Sequence, residues 1–176
     1  GFAWLTLGNA AIDMGIPSHH VGDTIAVARA DAATTPFGSV HPRRGRPKQK
    51  LEEQLHRGAR GLKLHPQLQQ FLPDIPDAMA LYRLAARERI PVLWHCGPVG
   101  IELKSARRFV QVPSYEPALA ANPDTTFVLG HAGAMASHEA VALQRRHPNA
   151  WLEVSCIGLA QMRHVVAEAD PDRIVY

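Results

Sequence analysis

Cysteine is scarce here: the chain has two, Cys96 and Cys156, in 176 residues. Both stand singly in apolar, strand-like runs. That excludes a disulfide framework and points to a reducing compartment, so a cytoplasmic location is expected. Long hydrophobic runs are also missing. None approaches the roughly 20 residues of a membrane span, which removes a membrane partner from consideration. There is no lysine block and no basic stretch interleaved with aromatics, and the net charge is only +3; nucleic acid is not an expected partner. A glycine-rich phosphate loop is absent after the first strand-like run, 2–7, where Gly8-Asn9-Ala10 stands instead. That argues against a doubly wound dinucleotide fold. An initiating methionine is lacking too. Residues 2–7 already read as a strand in progress, and 173–176 begin a strand and stop inside it. Both ends therefore read as cut, and a missing signal peptide carries no weight.

What is present is a balance of 46% hydrophobic and 20% charged residues. In a chain of this length that suits one substantial core rather than two domains, so 1–176 is expected to be a single unit. Four apolar runs end on histidine. They are 37–41, ending at His41; Gly61-Leu62-Lys63-Leu64-His65; Val92-Leu93-Trp94-His95; and Val128-Leu129-Gly130-His131. The histidines are 24, 30 and 36 residues apart, close to the roughly 30 residues of a strand-helix-strand unit. Helices are expected over 24–30, 48–57, 77–89, 115–121, 137–146 and 159–168 from apolar periodicity. Strands are expected over 2–7, 37–41, 61–65, 91–96, 126–131 and 150–155. Three returns share one spelling, Asn122-Pro123-Asp124, His147-Pro148-Asn149 and Asp170-Pro171-Asp172. Proline disfavours helix at the residue before it and suits a tight turn, so the repeated spelling marks a repeated architecture. Alternating strands and helices imply a parallel sheet. Histidines at several strand ends suit a (β/α)8 barrel, whose site collects residues from the C-terminal ends of its strands.

The order of these motifs, with Phe127-Val128-Leu129-Gly130-His131-Ala132-Gly133 and Asp170-Pro171-Asp172-Arg173-Ile174-Val175-Tyr176, resembles the amidohydrolase superfamily. Within it the chain is most similar to the branch of 2-amino-3-carboxymuconate-6-semialdehyde decarboxylase-like enzymes. The resemblance covers most of the chain from about residue 36. It implies an incomplete (β/α)8 TIM barrel with strands two to seven and the start of strand eight, lacking strand one and most of strand eight. It also implies one divalent metal, commonly Zn2+ in that family, at the C-terminal face. In that family a His-x-His pair, a strand-five histidine and a strand-eight aspartate hold the metal. By this alignment His95 matches the strand-five ligand and His131 the strand-six histidine that assists proton transfer or binds a second metal. The His-x-His pair and the aspartate have no match here, since His19-His20 lacks the spacing.

Each assignment has a plainer alternative. His95 and His131 would otherwise be buried histidines hydrogen-bonded within the core. Imidazole, with a reference pKa near 6.5, is usable as acid and base at neutral pH. Lys63 and His65 share the inward face of their strand. Lys63 is expected to be structural or to support the site, with a carboxylated, metal-bridging role as the outside alternative. His65 and His41 are expected to line the substrate pocket or support neighbours. Glu153 points inward if the apolar face of its strand meets the helices, and an ion pair with Lys63 is one way to satisfy it. Cys96, on the opposite face from His95, is expected to pack in the core. Arg107 and Arg108, like Arg43 and Arg44, fall in loops after strands; they read either as carboxylate-binding forks or as solvated surface charge.

The functional expectation is a metal-dependent hydrolase acting on a small, carboxylate-bearing substrate through metal-activated water. A metal-dependent non-oxidative decarboxylase using the same residues is the enzymatic alternative, and a catalytically inert barrel fragment the alternative of another class. Homodimerisation of a full-length protein is left open.

Overall fold

The computed structural model describes Thr6, Leu7, Asp13, Ile25, Ala26 and residues 34–176. Eight strands occur among them. β1 (Thr6–Leu7) and β2 (Thr34–Thr35) form a parallel pair. The other six form one parallel sheet in sequence order: β3 (Phe37–Gly38), β4 (Gly61–Leu64), β5 (Val92–His95), β6 (Phe127–Gly130), β7 (Ala150–Glu153) and β8 (Ile174–Val175). Every pairing is parallel, as crossover helices require.

The expected strand 37–41 is corrected. Regular pairing ends at Gly38, so His41 lies three residues past the strand rather than on its last position. A separate strand, 34–35, was not anticipated. Pro36 stands between the two pieces and has no N–H to give a ladder, which splits the run. Of the expected strand 2–7, Thr6 and Leu7 are described and are strand; of the expected helix 24–30, Ile25 and Ala26 are described and are helical. The remainder of both, and His19-His20, lie outside the described residues.

The helices follow their local signals. α1 (Pro47–His56) and α3 (Pro76–Arg87) each open on a proline, whose missing N–H costs nothing in a first turn. α3 buries Ala78, Leu81, Tyr82, Leu84 and Ala85 along one stripe, and Arg87 sits in its last turn, where a cation meets the negative end of the helix dipole. α4 (Glu116–Ala121), α5 (Ser137–Arg146) and α6 (Leu159–Glu168) complete the outer layer. The expected loop after His65 contains a further turn of helix, α2 (Pro66–Gln69). No helix among the described residues is long and apolar enough to cross a membrane.

Strand alternation sorts the core into two layers. Outward residues of the sheet, Leu62, Leu64, Trp94, Phe127, Leu129 and Leu152, pack with the helices in the larger cluster. Trp94 lies stacked on Phe127 with ring centroids 4.2 Å apart, and its indole N–H donates to the Tyr82 hydroxyl at 3.3 Å. Inward residues Phe37, Leu93 and Val128, joined by Trp151 and Val175, make a separate apolar floor inside the curved sheet. Above that floor, at the C-terminal ends of the strands, the inward positions turn polar. This is the arrangement of an incomplete (β/α)8 barrel.

Candidate active site

Register sets the site. Leu64 pairs with Trp94, His95 with Gly130, and Leu129 with Leu152, so His65, His95, Gly130 and Glu153 fall in one inward layer across four strands. His65 and His95 stack face to face, with ring centroids 4.0 Å apart and planes 13° apart. Gly130 contributes no side chain, and it cannot: a Cβ there would stand 2.5 Å from the Trp94 carbonyl oxygen. The space it leaves lets the next residue, His131, bring its ring edge-on to His95, with centroids 5.0 Å apart.

That placement strains the chain. His131, Ala132, Gly133 and Ala134 all have positive φ, from 43° to 76°. Three of the four carry side chains, for which this region is costly and clusters at functional sites. The turn is held from outside. Gly97, itself at φ 87°, lies so close to Gly133 that a Cβ would overlap the Gly133 carbonyl. From below, the Glu153 carboxylate accepts the backbone N–H of His131 at 2.9 Å and that of Ser155 at 2.6 Å. The partner expected for Glu153, Lys63, is therefore not its direct contact. Among the described residues no ion pair joins them, and the Glu153 charge reaches Lys63 through the field.

The hydrogen bonds assign protons. Nδ1 of His131 lies 3.0 Å from the Ser155 carbonyl oxygen, which can only accept, so neutral His131 carries its hydrogen on Nδ1. His65 is the reverse. Its Nδ1 accepts the Leu68 N–H at 3.3 Å, capping α2, and its hydrogen is on Nε2. His41 resembles His65, with Nδ1 accepting the Arg43 N–H at 3.2 Å. His41 is buried and makes no ring contact with the other three; it stands beside the cluster rather than in it. For His95, no ring nitrogen has a hydrogen-bond partner among the described residues.

Burial dominates the titration of these groups. It lowers His65 to about 3, with His95 and Lys63 nearby acting the same way. It lowers His95 to about 4, aided by Lys63 and His131. Both imidazoles are neutral at neutral pH. Lys63, half-buried beneath them, is pulled down to about 8 by desolvation, against the pull of Glu153. Cys96 is fully buried in the outer cluster, and burial pushes its thiol up, as suits a packing residue. Arg107 and Arg108 lie on an exposed 3-10 turn, Arg107–Phe109, with the Arg108 guanidinium 4.6 Å over the Phe109 ring. That turn is fastened to the site through Tyr115, whose hydroxyl lies 2.8 Å from the His95 carbonyl and 3.3 Å from that of Phe109.

Several residues here were not singled out from the sequence. Gln69 is buried and uses its whole amide: Oε1 accepts the His65 N–H at 2.9 Å, and Nε2 lies 2.8 Å from the Asp13 carbonyl and 2.9 Å from that of Val40. Asp13 in turn accepts the His41 N–H at 3.3 Å and stands 3.5 Å from Lys50 Nζ. The only sequence signal for Asp13 was its place in a Gly/Asn/Asp/Pro-rich stretch, and for Gln69 there was none.

As a donor to a metal, His95 fits: a neutral imidazole at a strand end, with no hydrogen-bond partner for its ring nitrogens among the described residues and His131 beside it. Among the described residues no group of three His, Cys, Asp or Glu side chains is placed to hold an ion. His95, with at most His131 nearby, is short of the three protein ligands typical of a catalytic zinc.

Comparison with known proteins bears on the same arrangement. The chain is similar in structure to an uncharacterized TIM-barrel protein from Bordetella bronchiseptica, with a TM-score of 0.71, 22% identity, and coverage of 89% of this chain and 58% of that one. It is also similar to amidohydrolase 2 from Bifidobacterium longum subsp. infantis, with a TM-score of 0.57, 19% identity, and coverage of 89% and 59%. The chain thus spans under three fifths of either structure, and at these identities the likeness speaks for the barrel fold. No curated protein sequence matches it. The amidohydrolase family profile, however, matches residues 20–176, a stretch holding His41, His65, His95, His131 and Glu153. The chain belongs to the amidohydrolase family.

Proposed function

We propose that the protein is a metal-dependent hydrolase acting on a small substrate at the face where His65, His95 and His131 meet. The observation that carries this reading is the contact between His95 and His131. Two imidazoles at neighbouring strand ends meet ring to ring, one with Nδ1 tied to a carbonyl and, among the described residues, no hydrogen-bond partner at Nε2. The amidohydrolase family generally uses divalent metals, and membership supports the same for this protein.

His95 would hold the metal, and its neutral imidazole is a donor that suits zinc. A divalent metal supplies Lewis acidity that makes water nucleophilic at neutral pH. His131 takes the proton at Nε2 and returns it to the leaving group. His65 presents an Nε2–H donor to the substrate. Lys63, Glu153 and His41 support that layer, and Arg107 and Arg108, at the rim, meet the charged end of a carboxylate-bearing substrate.

Metal analysis and turnover of variants of the full-length protein test this. His95→Ala is expected to lose metal. His131→Ala is expected to keep it and to turn over a panel of small amides and lactones about 10²–10⁴-fold more slowly. Full metal occupancy in His95→Ala, or normal turnover in His131→Ala, would overturn the assignment. Release of carbon dioxide from an acid substrate would redirect it to decarboxylation.

A further inference from the structure

Glu153 does more than neutralise a neighbour. It ends β7, is 2% exposed, and faces inward, where an unpartnered carboxylate would be costly. Its two oxygens are divided between two backbone donors: Oε2 takes the His131 N–H, Oε1 the Ser155 N–H. Oε2 also stands 3.7 Å from His131 Nδ1. The imidazole edge bearing Nδ1 thus faces the Ser155 carbonyl at 3.0 Å, the Ser155 hydroxyl at 3.3 Å and a carboxylate oxygen. A bare Nδ1 would turn its lone pair toward a carbonyl and a carboxylate. A protonated Nδ1 donates to the carbonyl and turns its positive edge toward the carboxylate.

We infer that Glu153 is a positioning residue, a two-pronged carboxylate bracket that holds His131 in its left-handed backbone conformation and in the Nδ1–H form. This deepens the proposed function, and rests on it only in the last step: with Nδ1 committed, Nε2 is the atom that accepts and returns the proton. The bracket needs a carboxylate. An amide has one accepting oxygen, so Glu153→Gln would turn an NH2 group toward one of the two N–H donors. Glu153→Asp keeps two accepting oxygens on a shorter arm. His65 is an internal contrast, since its Nδ1 accepts an N–H and its hydrogen is on Nε2.

The tautomers can be read directly. In full-length protein carrying 15N-histidine, two-bond 1H–15N spectra at a pH where imidazoles are neutral distinguish the two forms. The His131 signals are identified by their loss in His131→Asn. The expected result is a single Nδ1–H form for His131 and an Nε2–H form for His65. An Nε2–H form for wild-type His131 would overturn the inference without any variant. In folded Glu153→Gln the single His131 form is expected to be lost, with turnover down about 10–100-fold, as for other partners that orient a site histidine. Unchanged His131 signals in that variant would reduce Glu153 to a structural role. Glu153→Asp is expected to retain more of the Nδ1–H form than Glu153→Gln; retention no better would sink the two-oxygen argument, and this comparison with wild type suffices if the glutamine variant does not fold. Normal turnover in His131→Asn would instead remove the proton-carrier reading and leave the bracket standing.

Discussion

At the scale of single residues, the site is defined by which atoms are already occupied. His41 and His65 have spent their Nδ1 lone pairs on backbone N–H groups, and His131 has spent its Nδ1 hydrogen on a carbonyl. Chemically similar side chains thereby acquire different roles. The depressed values of His65 and His95 also tie stability to pH. Their folded pKa values, about 3 and about 4, lie below the 6.5 of an unfolded histidine. Between those limits the unfolded chain binds more protons than the folded one, so stability rises with pH and falls on acidification. The stability present above pH 6.5 should therefore erode from there down to about 3 in metal-free protein. His65→Asn should flatten that slope. Chemical denaturation across this range checks it, and a variant with the wild-type slope would show that His65 does not carry the effect.

At the scale of elements, the strand ends are rigid and the loops after them are fastened by single side chains. Tyr115, just before α4, is fully buried, and its hydroxyl reaches back over twenty residues to the His95 carbonyl and also to the Phe109 carbonyl. A buried carbonyl left without its donor costs about 1–3 kcal/mol. Tyr115→Phe is expected to lose stability in that range and to release the 107–109 turn, seen as faster amide exchange there than in α5. Uniform exchange across both regions would mean the turn is held by its packing instead. The 131–134 turn is fastened differently, by close backbone approach to Gly97 and by Glu153, because a run of left-handed residues needs contacts on both sides to persist.

At the scale of the whole molecule, six sequential parallel strands curve around an apolar floor of Phe37, Leu93 and Val128, with the polar layer above it. Four strands each bring one component to that layer, which is how a barrel builds a site from short local motifs. The described residues bring His95 as a metal donor, with His131 beside it, and no group of three ligands. Titration of the 176-residue chain with zinc is accordingly expected to give weak binding that dialysis removes. One equivalent retained through dialysis would mean that a third ligand comes from this chain outside the described residues.

The sequence by itself determined the elements and their direction. α5 and α6 occupy the expected 137–146 and 159–168, and β4 to β7 lie inside their expected runs, because apolar periodicity and the repeated proline returns act locally. Histidine at the end of a buried parallel strand was enough to place His65, His95 and His131 at one face. The break at Pro36 was legible in principle, since a missing N–H is a local fact, yet the pairing of 34–35 with 6–7 depends on a partner far along the chain. What only the tertiary structure decided is the state of each side chain. That Glu153 serves two backbone N–H groups, that Gln69 bridges His65 to Asp13, and that His131 and His65 carry their hydrogens on opposite nitrogens all follow from contacts across 2 to 56 residues. Periodicity specifies which face a side chain takes. Which donor or acceptor waits there is set by strand register and by the turns above it, and those exist only once the sheet has assembled.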